Sequence, residues 1–281
     1  MIVPAEFPPQ PPAGSPEAAR YAEAATAATR ETLAKRTLPQ RVAYGTDPAQ
    51  RLDVYSKRSG EKRPVLLFFH GGAWISGYLW WCGFMARGVE EQGGILVAGT
   101  YRLAPRLRFP AQLDDVNLAL AWVRNHIADY GGDPARIIVG GHSAGGHLAA
   151  LACLQNDRPA GVVACFPVSA PLDIHYPDCK PGSPEDRVYK FLLPKPEDDI
   201  AASPVTYVDR AAIPFHLMYG ERDFERIVRS NLKFSGLLAA RGKRFSVDRV
   251  PGADHFTTHL GLGDAAASWY QTLGEAFRHG A

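Results

Sequence analysis

The stretch 137–148, Ile-Ile-Val-Gly-Gly-His-Ser-Ala-Gly-Gly-His-Leu, leaves this chain few folds to choose from. A short apolar run ends on two glycines, a serine follows, and two more glycines open a segment of helix formers. A strand that passes so abruptly into a helix forces the serine onto a strained turn. Small neighbours are needed there because a Cβ would collide between strand and helix. The serine hydroxyl is thereby presented at the carboxyl edge of a sheet, beside the N–H groups and positive dipole end of the next helix. Ser143 is therefore the candidate nucleophile, with the N–H of Ala144 a candidate donor to a developing oxyanion.

The rest of the chain repeats the alternation. Apolar runs at 65–69, 95–99, 137–140, 162–166, 215–219 and 245–250 read as strands buried on both faces. Between them, 81–92, 112–130, 145–155, 228–241 and 263–277 read as helices. Strands alternating with helices imply an α/β architecture, a mainly parallel sheet with helices on both sides. Residues 41–55 alternate around Gly45-Thr46-Asp47-Pro48 and read as a hairpin. With 281 residues, 46% of them hydrophobic, the chain is expected to form one domain.

Two segments fall outside that rhythm. Residues 1–15 are proline-rich and read as an extended lead, and 16–36 as a helix capped by Ser15 with Pro16 at its first position. Its apolar face is thin, so 1–40 reads as an N-terminal extension whose helix either covers the mouth of a site or packs peripherally. Residues 173–203 carry Pro177, Pro181, Pro184, Pro194 and Pro196. They far exceed the median connection of ~4–6 residues. A cap or lid insertion is expected there, the alternative being a surface excursion.

A serine nucleophile needs a base, and the base an orienting acid, in the chain order Ser, Asp or Glu, His. Gly220-Glu221-Arg222-Asp223 follows the run at 215–219, and Pro251-Gly252-Ala253-Asp254-His255 follows the run at 245–250. Asp223 is the expected acid, with Glu221 and Glu225 as fallbacks, and His255 the expected base. His259 is placed on the following segment. His70-Gly71-Gly72-Ala73-Trp74 comes straight after the run at 65–69, and its paired glycines let the backbone aim N–H groups inward. Gly71 and Gly72 are the expected partners of Ala144 in an oxyanion hole, with His70 holding the loop. Trp74, Trp80, Trp81 and His142 are candidate pocket residues, packing being the alternative for the tryptophans.

Taken together, these motifs resemble the esterase and lipase branch of α/β-hydrolases related to hormone-sensitive lipase. The resemblance is strongest over 52–154 and includes Tyr101-Arg102-Leu103-Ala104-Pro105 and Phe109-Pro110-Ala111 with Asp114. It implies that this segment is structural and that Arg102 pairs with a carboxylate such as Asp114. Ala73 stands where lipase-like members usually carry a third glycine. His-Gly-Gly-x-Trp looks more like the arylformamidase (kynurenine formamidase) branch. The resemblance therefore implies a serine hydrolase acting on a small carboxylic ester, or alternatively on an amide or formamide. A non-catalytic receptor on the same fold is disfavoured by the presence of His255.

The remaining features narrow the surroundings. The net charge of +2 contains no block that would favour nucleic acid. No apolar stretch approaches the ~20 residues of a membrane span, and residues 1–20 lack the pattern of a signal peptide. The four cysteines have no metal spacing. No metal, cofactor, nucleic-acid or membrane partner is expected, a cytoplasmic location is the default, and a homodimer is allowed.

Overall fold

The computed structural model describes residues 7, 9–12, 14–35, 38–56, 62–155 and 159–279. Much of the proline-rich lead (1–6, 8 and 13) lies outside them, as does Arg36 at the end of the expected first helix.

Among the described residues eight strands form one sheet: β1 (Gln40–Ala43), β2 (Arg51–Tyr55), β3 (Arg63–Phe69), β4 (Ile95–Gly99), β5 (Gly132–His142), β6 (Val162–Val168), β7 (Phe215–Gly220) and β8 (Phe245–Val250). Their spatial order is β1-β2-β4-β3-β5-β6-β7-β8. β1 and β2 form the expected hairpin, Gln40 opposite Val54, and β2 meets β4 antiparallel. From β4 to β8 every pairing is parallel. β5 lies between β3 and β6, so its carboxyl end opens near the middle of the sheet.

Side chains of a strand point alternately to opposite faces, and in the central β3, β4 and β6 both faces are dry. The edge strand β8, expected to be buried on both faces, has no buried residue, because among the described residues no strand covers its outer side, and Val247 is 42% exposed. Val65, Leu67 and Phe69 enter one core with Val139, Leu148 and Phe234. Leu66 and Phe68 enter the other with Ile138, Phe166 and Trp269. Burying each such side chain stabilises the fold by roughly 1.5–3 kcal/mol, which explains why the strands read as unbroken apolar runs.

Among the described residues seven α-helices surround the sheet: α1 (Pro16–Ala34), α2 (Ala86–Glu91), α3 (Ala111–His126), α4 (Ala144–Gln155), α5 (Glu225–Ala240), α6 (His255–Leu260) and α7 (Ser268–His279). The Ser15 hydroxyl accepts the N–H of Ala18 at 3.2 Å, and Pro16 occupies the first position of α1. α1 buries only Tyr21, Ala25 and Thr29, a stripe at i, i+4 and i+8. The helix expected over 81–92 is instead two 3₁₀ turns, Leu79–Trp81 and Gly83–Met85, followed by the short α2. The packing explains the break: a Cβ on Gly83 would stand 2.3 Å from the Tyr55 hydroxyl and 2.6 Å from Thr29 Cγ2. A second departure is α6, a helix not anticipated, which His255 opens.

Residues 173–203 hold one π-helical turn, Val188–Leu192, and one 3₁₀ turn, Pro196–Asp199. The segment ties back to the body. Phe109 N–H donates to Leu192 O at 2.9 Å, and His147 Nε2 of α4 lies 2.7 Å from Ala202 O. It meets the N-terminal segment where a Cβ on Gly14 would stand 2.3 Å from Arg187 Nη1. Among the described residues no helix is long and apolar enough to cross a membrane.

Candidate active site

The turn between β5 and α4 carries Ser143 at φ +50°, a left-handed backbone conformation that a residue with a Cβ adopts only under constraint. The constraint comes from both sides. Ser143 N–H donates to Val168 O at 2.8 Å, and Ser143 O accepts the N–H of His147 at 3.0 Å. On the helix side, a Cβ on Gly145 would sit 2.2 Å from Phe69 O and 2.5 Å from His70 O. Glycine alone lets α4 start so close to the end of β3.

His255 stands over the serine, with Nε2 3.0 Å from Ser143 Oγ. Its Nδ1 lies 2.8 Å from Asp223 Oδ1. The chain Ser143–His255–Asp223 is therefore continuous, and the Asp223 side chain is fully buried. Asp223 is held in turn by the N–H of Phe224 on Oδ1 at 2.8 Å and that of Gly220 on Oδ2 at 3.4 Å. His255 is placed by the cap of α6. Asp254 Oδ1 accepts the N–H of Phe256 at 2.9 Å and of Thr257 at 2.8 Å. The fallback acids stand elsewhere: Glu221 accepts Gly252 N–H at 2.9 Å beside Arg249, and the side chain of Glu225 is 86% exposed near Arg229.

Beside the serine, the loop after β3 turns at Gly72, φ +120°, where a Cβ would strike Ser76 O at 2.0 Å. Ala73 and Trp74 follow at φ +52° and +62°. His70 holds the loop: its Nδ1–H donates to Gly71 O at 2.6 Å, and its Nε2 meets Thr100 Oγ1 at 2.8 Å. Burial lowers its pKa to about 4, so the ring is neutral. The backbone N–H groups of Gly71, Gly72, Ala73 and Ala144 donate to no described residue. Ala73 was missing from the sequence reading, since a donor is a matter of backbone direction and not of residue type. Gln10 in the lead clamps the far end of the loop, donating to Gly77 O at 2.8 Å and accepting Gly77 N–H at 2.7 Å.

The candidate pocket residues are packed away. Trp74 is 6% exposed, and its Nε1–H donates to His147 Nδ1 at 3.2 Å. Trp80 stacks on Tyr78 at 4.2 Å, and Trp81 lies edge-on to Tyr21 at 5.6 Å. His142 is buried behind His255, with Nε2 2.9 Å from the His255 carbonyl. Beside His255 stands instead Phe224, 39% exposed, its ring 4.6 Å from that of His255. The Arg226 guanidinium lies 4.5 Å from the centre of the Phe224 ring. A separate 780 Å³ cleft lies between 173–185 and the first turns of α5, lined by Asp173, Tyr176, Glu185, Arg226 and Lys233 among others, and none of Ser143, Asp223, His255 or Phe224 lines it. Two ion pairs cross its lining, Lys233 with Asp173 and Arg226 with Glu185. Among the described residues no three His, Cys, Asp or Glu side chains gather to hold a metal.

Arg102 does not pair with Asp114. It pairs with Asp115, Nη2 to Oδ1 at 2.7 Å, and Asp114 is exposed.

A family model described as BD-FAE matches residues 52–233. Esterase LipC of Mycobacterium tuberculosis is 33% identical over 237 residues, 77% of this chain and 59% of that protein. Esterase LipQ of the same organism is 34% identical over 243 residues, 76% of this chain and 56% of that protein. The chain thus spans a little over half the length of these two relatives. The solved structure of EstE1, a thermophilic and thermostable carboxylesterase cloned from a metagenomic library, superposes with a TM-score of 0.76 at 23% identity, covering 95% of this chain and 98% of that one. The architecture shared with it is the α/β-hydrolase fold.

Proposed function

The chain belongs to the BD-FAE family, and from the geometry of its site we infer that it is a carboxylic ester hydrolase working by acyl transfer through Ser143. The observation that carries this reading is the unbroken run of hydrogen bonds from Ser143 Oγ through His255 to the buried Asp223. His255 Nε2 accepts the Ser143 proton as Oγ attacks the ester carbonyl. The negative charge that develops on the carbonyl oxygen is met by unpaired N–H groups of the loop 71–73 and of Ala144. The imidazolium, held by Asp223, then gives its proton to the departing alcohol. Water attacks the acyl carbon as His255 takes its proton, and the imidazolium returns that proton to Ser143 Oγ as the acid departs. The names of the relatives, esterases all, support the same chemistry.

The formamidase alternative comes from the resemblance of His-Gly-Gly-x-Trp to the arylformamidase branch, with the tryptophans as a candidate aryl pocket. Trp74, Trp80 and Trp81 are buried in packing contacts, so they give that alternative no aryl site, and the ester reading is preferred. The N-terminal extension and 173–203 act in this reading as a cap, since the lead before the helix meets the insertion at Gly14 and Arg187.

The test is steady-state hydrolysis of p-nitrophenyl acetate, butyrate and octanoate beside N-formylkynurenine, by the wild type and by Ser143→Ala. Ester turnover lost in the variant, with a covalent acyl adduct on Ser143 trapped by mass spectrometry, is the expected result. Faster deformylation than ester cleavage would overturn the ester assignment, and turnover retained by Ser143→Ala would overturn the nucleophile.

A further inference from the structure

Behind His255 lies a group of polar side chains that acyl transfer as written above does not use. His142 Nε2 is 2.9 Å from the carbonyl oxygen of His255. The Tyr21 hydroxyl, reaching down from α1, is 3.3 Å from His142 Nδ1 and 2.8 Å from His259 Nδ1. The two imidazoles stack with centroids 4.6 Å apart and planes 9° from parallel. His142, His259 and Tyr21 are 1%, 0% and 4% exposed.

The proton positions follow from counting donors. A carbonyl oxygen only accepts, so His142 Nε2 carries the hydrogen. A neutral imidazole has one N–H, so His142 Nδ1 is a lone pair and the Tyr21 hydroxyl must donate to it. With its only hydrogen committed, the Tyr21 oxygen accepts from His259 Nδ1–H. His259 Nε2 is then a bare lone pair, and it is the ring atom that finds no partner, between the rings of Phe68 and Phe84. An unmatched lone pair there costs less than an unmatched N–H. Burial keeps both rings neutral, with His259 lowered to about 3 and His142 lowered as well by burial and by its histidine neighbours. No alternative assignment satisfies His142 Nδ1 while both rings stay neutral.

We propose that His259, Tyr21 and His142 form a one-way hydrogen-bond chain that positions His255 through its backbone carbonyl, and that docking of the N-terminal helix thereby sets the rate of acyl transfer. This rests on His255 being the general base. The three are positioning residues, since none touches a reacting atom. The arrangement makes α1, which buries only three residues against the body, part of the machinery through one hydroxyl.

Tyr21→Phe removes that hydroxyl and keeps the ring packed against Trp81 and Phe256. The expected result is a kcat lower by roughly 10-fold with KM unchanged, given that misplacing a catalytic group by 1 Å costs about 100-fold. Thermal denaturation and circular dichroism verify that the variant is folded. The second measurement does not depend on the variant: long-range ¹H–¹⁵N spectra of the wild type should show His142 protonated on Nε2 and His259 on Nδ1. Wild-type kcat in a folded Tyr21→Phe, or the opposite tautomer on either ring, would overturn the proposal. If Ser143→Ala kept its turnover, the active-site reading itself would fail, and that outcome is separate from a dead Ser143→Ala beside an unimpaired Tyr21→Phe.

Discussion

Arg102 grips the carboxylate of Asp115 through its backbone N–H and its guanidinium together: the N–H and Nε each lie 2.8 Å from Oδ2, and Nη2 lies 2.7 Å from Oδ1. Gln50 Nε2 adds a further hydrogen bond to Oδ1 at 2.7 Å, and the carboxylate has no exposure to solvent. This pair anchors the turn whose Ala104 N–H donates to Trp74 O at 2.9 Å, at the back of the candidate oxyanion loop. Removing one partner of a buried pair leaves the other desolvated, so Asp115→Ala is expected to cost about 3–5 kcal/mol of stability. Asp114→Ala, one residue away on the exposed face of α3, is expected to change stability by about 0.5 kcal/mol or less. Urea denaturation of the two variants checks this, and similar losses would show that the pair does not anchor the turn.

The acid assignment is tested by two isosteres. In Asp223→Asn the amide can offer N–H to His255 Nδ1 and stabilise the wrong tautomer. By analogy with a serine protease triad, kcat is expected to fall by about 10⁴-fold. Glu221→Gln alters a carboxylate that faces Gly252 and Arg249, and its kcat should stay within a few-fold of wild type. The reverse ranking in esterase assays would move the acid to Glu221.

Two glycine-to-alanine changes should have opposite signs. Gly145→Ala places a methyl 2.2 Å from Phe69 O, an atom of the central sheet that cannot yield, and is expected to cost 1–3 kcal/mol or more and to abolish turnover. Gly236 is exposed in α5 with nothing within 4 Å of a new Cβ. There alanine reduces the freedom of the unfolded chain and should stabilise the protein by about 0.5–1 kcal/mol. Melting temperatures of the pair decide it, and a tolerated Gly145→Ala would mean that the turn holding Ser143 is loose.

Acid should weaken the fold before any carboxylate is titrated. Burial lowers the pKa of His70 and His147 to about 4 and of His259 to about 3, below the unfolded value of 6.5. Between pH 6.5 and about 4 the unfolded chain binds protons that the folded one refuses. The stability these neutral rings contribute is complete above pH 6.5 and drains as pH falls through that window. Each such histidine adds a slope of up to about 1.4 kcal/mol per pH unit. Urea midpoints measured from pH 7.5 to 4 should fall monotonically, and a flat profile would show that these rings are protonated in the folded protein.

What could be read from residues alone was set by local rules. Parallel strands buried on both faces must be continuous apolar runs, the turn at Ser143 must be lined by glycine, and Ser15-Pro16 must open a helix. These requirements act over a few neighbouring residues. One further signal was present and went unread: Asp115 lies four and eight residues before the buried Ala119 and Val123, which puts it, and not Asp114, on the inner face of α3. Other features had no local signal. The segment 81–92 is rich in helix formers, yet Tyr55 and Thr29, distant in sequence, break it at Gly83. The tryptophans looked like a pocket because composition does not say which way a ring faces. Tyr21 meets His142 and His259 across separations of 121 and 238 residues. Local steric and hydrogen-bonding demands are written into adjacent residues, whereas the direction of a side chain and the partner it finds depend on contacts that exist only once the sheet and its helices have closed around them.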